Sequence, residues 1–130
     1  MSLQINAIQT NTRTAQITLT GQLDSHTSGD LDQKIQNFIQ SGVKIVILDM
    51  ASLEMITSAG VGVIMKTQIM LTRRAGELMM LNMQPQIKKV FEIVRLLPAL
   101  TVFENFEEMD NYLIKIQQRM QEDGSFDSTQ

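Results

Sequence analysis

Apolar and polar residues alternate along the chain in a way that predicts strands and helices in turn. Two short runs near the start have the period of two that is typical of half-buried strands. They are Leu3, Ile5 and Ala7, then Ala15, Ile17 and Leu19. Polar Asn11 and Thr12 lie between the runs, so we expect an antiparallel hairpin.

Four later segments carry apolar residues at helical spacing. The first, with Thr27 or Ser28 as its cap and Ser41-Gly42 at its end, has Leu31, Ile35, Phe38 and Ile39. The second runs from Ser58 to about Arg74, where Ala75-Gly76 ends it. The third starts at Pro85, stops at Pro98, and has Ile87, Val90, Phe91, Val94 and Leu97. The fourth follows Asn105, with Glu108 three residues later, and has Met109, Leu113, Ile116 and Met120.

Between the helices lie three runs that read as buried strands. Residues 43–50 are β-branched and apolar almost throughout, residues 78–81 are apolar, and residues 101–103 fit a short edge strand. Strands that alternate with helices are joined by right-handed crossovers, which makes the strands parallel. We therefore predict an α/β fold with a mixed sheet of four to five strands and about four helices. Residues 1–120 form one domain, and residues 121–130 form a flexible tail.

The function is expected where the buried strand gives way to the second helix, within residues 55–65. We expect a hydroxyl-rich turn there. Ser58 is the natural N-cap, because its side-chain oxygen can accept a bond from a free N–H of the first turn. The site would then lie at the carboxyl edge of the sheet, where open α/β folds bind ligands and partners.

Composition narrows the function. The chain of 130 residues has no cysteine, which excludes disulfides and thiol chemistry, and its net charge of −3 argues against nucleic-acid binding. No apolar run approaches the roughly 20 residues that span a bilayer, so we expect no membrane contact and a cytoplasmic protein. Of ten methionines, several fall in predicted core elements, which favours gap-filling in the core over an adaptable partner surface. These are Met50, Met55, Met65, Met70, Met79, Met80 and Met83.

Three chemistries can be weighed against the sequence. Residues 60–67 approach the phosphate-loop pattern, but Met65 stands where the second glycine is required, and a dinucleotide motif lacks its third glycine. Catalysis by Ser58 would need His26, the single histidine, as its base, and no metal-ligand cluster is evident. We expect no enzyme, no cofactor and no metal. Gly60 and Gly62 then serve close packing of the helix start, or leave room for a partner.

The segments Leu48-Asp49-Met50, Ile56–Ile64 and Thr20–Asp24 together resemble the sulfate transporter and anti-sigma factor antagonist (STAS) domain family. The chain resembles in particular the free-standing bacterial anti-sigma factor antagonists. The resemblance implies that Ser58 is phosphorylated by a partner that is both an ATP-binding serine kinase and an anti-sigma factor. It also implies that the unmodified form binds this partner, and that a serine phosphatase resets the cycle.

The residues expected at the partner contact are Asp24, Thr57, Ser58, Ala59, Gly60 and Gly62. Thr57 departs from the aspartate that often precedes the family's serine, and Ala59 replaces a hydroxyl residue of some members. An alternative is therefore a STAS scaffold subunit of a signalling complex or transporter regulator that has no switch. The oligomeric state and the identity of the partners stay open.

Overall fold

A computed structural model describes residues 2–122 of the chain, without the side chains of residues 117 and 119–122. Five strands and four helices follow one another along the chain. The strands are β1 (Leu3–Gln9), β2 (Thr14–Leu23), β3 (Ile45–Ile56), β4 (Glu77–Leu81) and β5 (Thr101–Phe103). The helices are α1 (Ser28–Gln40), α2 (Ser58–Arg73), α3 (Pro85–Ile93) and α4 (Phe106–Glu122), with a short 3₁₀ turn at Leu97–Ala99.

The strands form one mixed sheet in the order β1-β2-β3-β4-β5. β1 is antiparallel to β2, and the other three pairs are parallel. The fold class predicted from the sequence is confirmed. All the parallel strands end at the same edge of the sheet, so the segments that follow β2, β3, β4 and β5 gather there.

Helices cover the two faces of the sheet unequally. The main core joins one face to α1, α2 and α3 through fully buried side chains such as Leu31, Ile64 and Phe91. On the other face α4 places Met109 against Ile47 of β3, together with Met79, Leu81 and Phe103. Met50, Met79 and Met80 are buried, which agrees with the predicted gap-filling role, whereas Met55, Met65, Met70 and Met83 are half-buried.

Two predicted boundaries were wrong. β3 continues to Ile56, whereas the predicted strand ended at residue 50. α3 ends at Ile93 and not at Pro98, so Val94 is 47% exposed and does not belong to a buried stripe. α4 runs to Glu122. Residues 123–130 of the predicted tail lie outside the described part, so the tail stays a prediction.

The β3 boundary has a local cause. Two irregularities in the β2–β3 register follow Thr18 and Gly21, and they let the longer β3 keep pairing with β2. β4 stops at Leu81, opposite Asp49, so within residues 2–122 the last part of β3 has no strand on its other side. Side-chain amides of Gln84 and Gln86 donate instead to the carbonyls of Ala51 and Glu54. Within residues 2–122, no helix combines the length and the apolar character that a membrane span requires.

We predict that Ile64→Ala lowers the free energy of unfolding by about 2–5 kcal/mol, because Ile64 is 0% exposed and its removal leaves a cavity. The matched control is Ile69→Ala on the same helix, where the side chain is 48% exposed; it should change stability by no more than about 0.5 kcal/mol. Urea unfolding of both variants measures this. Equal losses would show that α2 does not pack as described.

Candidate functional site

The site is built on a very short connection between β3 and α2. Thr57 is the only residue between Ile56, the end of β3, and Ser58, the start of α2. Its N–H donates to the carbonyl of Leu23 at 3.0 Å, which ties the connection to the end of β2. Thr57 is extended (φ −109°, ψ 177°), so the chain changes from strand to helix within one residue.

Ser58 is the first residue of α2 and not its N-cap, which corrects the sequence prediction. Thr57 holds the N-cap position, and neither hydroxyl caps the helix by a hydrogen bond. The side chain of Ser58 is exposed, and its hydroxyl has no hydrogen-bond partner among the described residues. The hydroxyl is therefore open to solvent and to another protein.

The first turn of α2 also carries unpaired donors. Its first helical bond runs from the N–H of Val61 to the carbonyl of Thr57 at 2.9 Å. The N–H groups of Ser58, Ala59 and Gly60 precede that bond and have no acceptor within the helix. Aligned donors and the helix dipole make this end of α2 favourable for negative charge.

Gly60 and Gly62 have different surroundings. A Cβ atom on Gly60 would lie 2.7 Å from Cγ of Leu23 and 2.8 Å from Cγ1 of Ile56, so the first turn packs directly on the sheet. A Cβ atom on Gly62 would meet nothing within 4 Å. Gly60 therefore serves packing, and Gly62 leaves an open surface beside Ser58.

The loop after β2 forms the other side of the site. Asp24 is only 6% exposed, and its Oδ1 accepts the N–H of His26 at 2.8 Å and that of Thr27 at 3.1 Å. The Thr27 hydroxyl accepts the N–H of Asp24 and donates to the carbonyl of Gln22, each at 2.9 Å. These bonds fix the shape of the loop. Leu23, which precedes the loop and lies against the first turn of α2, places the loop beside that turn.

Hydrogen bonding also sets the acidity of Asp24. The bond from the N–H of His26 is the main cause that lowers the pKa of the Asp24 carboxyl below its ordinary value; burial opposes the shift, and the bonds from Thr27 support it. The carboxylate therefore stays charged at neutral pH and holds the loop from within.

The predicted site residues thus fall into two groups. Ser58 and Gly62 are exposed and Ala59 is half-buried, whereas Asp24 and Gly60 are buried and shape the surface from below. Thr57 is half-buried, and its Oγ1 is buried without a hydrogen-bond partner in the described structure. Whether a partner contacts these residues stays a prediction.

Sequence reasoning missed Leu23 and Thr27, which position the site. Leu23 looked like one more apolar residue, and only its contact with Gly60, 37 positions later, reveals its role. Thr27 carried a usable signal, because an aspartate followed three residues later by threonine is the spacing of a local side-chain-to-backbone motif.

The alternative chemistries find little support in the geometry. His26 is exposed, and no hydrogen bond joins it to Ser58 in the described part of the chain. Met65 lies within α2, where no phosphate loop can form. The side chains described for residues 2–122 include no group of three potential metal ligands.

Comparison with known proteins identifies the family to which the chain belongs. A model of the STAS domain family matches residues 6–109, and the chain belongs to that family. Over 75 residues the chain is 31% identical to BtrV of Bordetella bronchiseptica, named provisionally as an anti-sigma factor antagonist; the match covers 58% of this chain and 65% of BtrV. It is 24% identical over 90 residues to the anti-sigma F factor antagonist of Paenibacillus polymyxa, covering 68% of this chain and 77% of that protein.

Solved structures of anti-sigma factor antagonists have a fold similar to that of this chain. The anti-sigma factor antagonist SpoIIAA in its unphosphorylated form superposes with a TM-score of 0.69 at 25% identity, covering 86% of this chain and 98% of SpoIIAA. The phosphorylated form of SpoIIAA, the Bacillus cell fate determinant, gives a TM-score of 0.67 at 27% identity, over 84% of this chain and 99% of SpoIIAA. The sequence-based assignment to the STAS domain family is confirmed.

We predict opposite effects for alanine at the two glycines. Gly60→Ala should destabilise the fold by about 1–2 kcal/mol, because overpacking against Leu23 and Ile56 outweighs the gain in helix propensity. Gly62→Ala should stabilise it by about 0.5–1 kcal/mol, because the added methyl meets nothing. Thermal and urea unfolding test the pair; a stabilising Gly60→Ala would contradict the close packing.

A second prediction concerns the stability of the fold at acid pH. Because the pKa of Asp24 is lowered in the folded state, its contribution to stability is complete above the unfolded value of about 3.9 and is lost as the pH falls through the folded value. The wild type should exceed Asp24→Asn in free energy of unfolding at pH 6, and the difference should shrink below pH 4. Unfolding of both proteins between pH 6 and pH 3 measures this; a constant difference would contradict it.

Proposed function

We propose that this chain is an anti-sigma factor antagonist, and that phosphorylation of Ser58 switches it off. Its partner is an anti-sigma factor that is also an ATP-binding serine kinase. The observation that carries the proposal is the exposed, unbonded hydroxyl of Ser58 at the first position of α2. The serine is presented to a partner while the residues beneath it are packed.

Accessibility makes Ser58 a suitable kinase substrate. Its hydroxyl forms no bond that phosphorylation would break, in contrast to Thr27, whose hydroxyl is engaged with the backbone. Gly62 leaves the surface beside it open, so a partner can approach closely. Thr57 is a poor substrate, because its Oγ1 is buried.

The same position explains how a phosphate acts as a switch. It adds about 1.5 to 2 negative charges next to the free N–H groups of the first turn, which tolerate them, so the fold survives. In a partner contact, however, a hydrated phosphate that is buried without a counter-charge costs several kcal/mol. Each 1.4 kcal/mol is a factor of ten in affinity, so phosphorylation should dissociate the complex.

The relatives support the proposal through their names. SpoIIAA is described as an anti-sigma factor antagonist in an unphosphorylated form, and its structure in a phosphorylated form is also known. We extend the family's cycle to this chain: the unmodified form binds the kinase, and a serine phosphatase restores it. We place the protein in the cytoplasm, and we propose that it is not an enzyme.

Mass measurement after incubation with ATP and an anti-sigma serine kinase from the same genome tests the acceptor. The wild type should gain one phosphate, and Ser58→Ala should gain none. Ser25→Ala is the matched control, because Ser25 is an exposed hydroxyl in the loop beside the site, and this variant should gain one phosphate. A phosphate on Ser58→Ala would refute the assignment.

Affinity for the same kinase tests the switch separately. Ser58→Ala should bind as the wild type does, and Ser58→Glu should bind at least about tenfold more weakly, because it places a carboxylate inside the contact. Titration calorimetry gives both values. Equal affinities would reject the switch and favour the alternative, a STAS scaffold subunit. Thr57, which stands where the family often has aspartate, is also consistent with that alternative.

A further inference from the structure

A concave surface lies at the edge of the sheet opposite Ser58. Where β2, β3 and β4 begin, the β1–β2 turn and the α2–β4 turn enclose a cavity of about 360 Å³, here called the basal pocket. Its polar lining residues are Asn11, Arg13, Thr14, Lys44, Gly76 and Glu77. β3 spans 12 residues between the two edges, so the basal pocket and Ser58 are roughly 35 Å apart.

Backbone hydrogen bonds fix the walls of the basal pocket. The carbonyl of Arg13 accepts the N–H groups of Lys44 and Ile45 at 2.8 and 2.9 Å. The carbonyl of Lys44 in turn accepts the N–H of Glu77 at 2.8 Å, and Gly76 lies so close to this carbonyl that no side chain fits there. The two turns are therefore held against β3, and the pocket is formed before any ligand arrives.

The basal pocket is positively charged in a chain whose net charge is −3. Arg13 and Lys44 form no ion pair with any side chain that the structure describes. Nζ of Lys44 donates to the carbonyl of Arg74 at 2.9 Å, which leaves two of its three protons free and brings the backbone of a third basic residue close. The lining has one carboxylate, Glu77, whose Oε2 accepts the hydroxyl of Thr101 at 3.1 Å.

We propose that the basal pocket binds a small ligand through its phosphate groups, held by Arg13 and Lys44. The volume falls within the range of small-molecule sites. A guanidinium fork and an ammonium together suit phosphate oxygens, and Asn11 and Thr14 supply neutral donors. Among the residues that the structure describes, no aromatic ring lines the pocket, and its apolar part is Ile45 and Ala75, so none of them stacks on a base.

Affinity should therefore follow the phosphate charge and not the attached group. Free pyrophosphate and the terminal phosphates of a nucleotide share this chemistry, so titrations with inorganic pyrophosphate, ATP and GTP test whether the attached nucleoside contributes to binding. Similar affinity for all three is expected from contact with phosphate alone. A preference above about tenfold for one nucleotide would overturn the proposed mode of recognition.

The decisive experiment titrates inorganic pyrophosphate into the full chain at low salt, by calorimetry and by amide NMR shifts. Arg13→Gln and Lys44→Gln should each bind at least about tenfold more weakly, because each loses a charge-assisted hydrogen bond. Glutamine at residue 44 retains a donor for the carbonyl of Arg74, which limits damage to the fold. Lys89→Gln, an exposed cation on α3, is the matched control and should bind as the wild type does.

A variant that gains affinity for pyrophosphate distinguishes a direct effect on binding from a loss of structure. Glu77→Gln should bind pyrophosphate more tightly, because it removes the carboxylate from the lining. Ser58→Ala should leave pyrophosphate affinity unchanged, so failure of the proposed switch would not affect this result. Unchanged affinity in Arg13→Gln and Lys44→Gln, or shifts that spread without saturation over all surface cations, would overturn the proposal.

Discussion

The close packing of α2 on the sheet at Gly60 is the constraint on which the site depends. Leu23 and Ile56, the last residues of β2 and β3, lie where a side chain at residue 60 would have to be. Because residue 60 has no side chain, the first turn of α2 packs directly on the two strand ends. The N–H of Thr57 adds a bond to the carbonyl of Leu23. Together these contacts place Ser58 at the surface in a defined orientation of the backbone.

In this arrangement, residues that hold the structure and residues that are accessible to a partner lie close together. Asp24, Gly60 and Leu23 are buried and hold two adjacent loops, whereas Ser58 and Gly62 face solvent. A partner that bound here, as we propose, would meet a surface that needs little ordering, which would lower the entropic cost of the contact. The proposed phosphorylation of Ser58 would change the charge of that surface and leave the packing beneath it in place. The basal pocket lies at the opposite edge of the sheet, so the two proposed sites do not share residues.

The sequence predicted the order of strands and helices because the chain obeys two simple periods. Alternation in β1 and β2, apolar runs in β3 and β4, and helical spacing in α1 and α4 are all local signals. Prediction from the sequence failed where contacts with residues distant in the chain determine the structure. The polar part of β3 stays in a strand because β2 pairs with it and because Gln84 and Gln86, more than 30 residues later, bond to its carbonyls. No periodicity near Ala51 or Glu54 contains that information.

The candidate site shows the same division. The sequence located Ser58 at the start of a helix, because a buried strand precedes it and an apolar helix follows. It placed the N-cap one residue late, since serine and threonine are both good caps and only the extended backbone of Thr57 distinguishes them. The burial of Asp24 could not be predicted either, because a buried carboxylate requires hydrogen-bond donors, and these come from the backbone of a loop whose shape the sequence does not specify.

The most direct test of the central claim compares the chain with and without a phosphate on Ser58. If the phosphate lies in solvent beside the free N–H groups of the first turn, the free energy of unfolding should change by no more than about 1 kcal/mol, and amide NMR shifts should be confined to the start of α2 and the loop at residues 24–27. A loss of several kcal/mol, or shifts throughout the core, would show that Ser58 is part of the packed structure and would contradict the account.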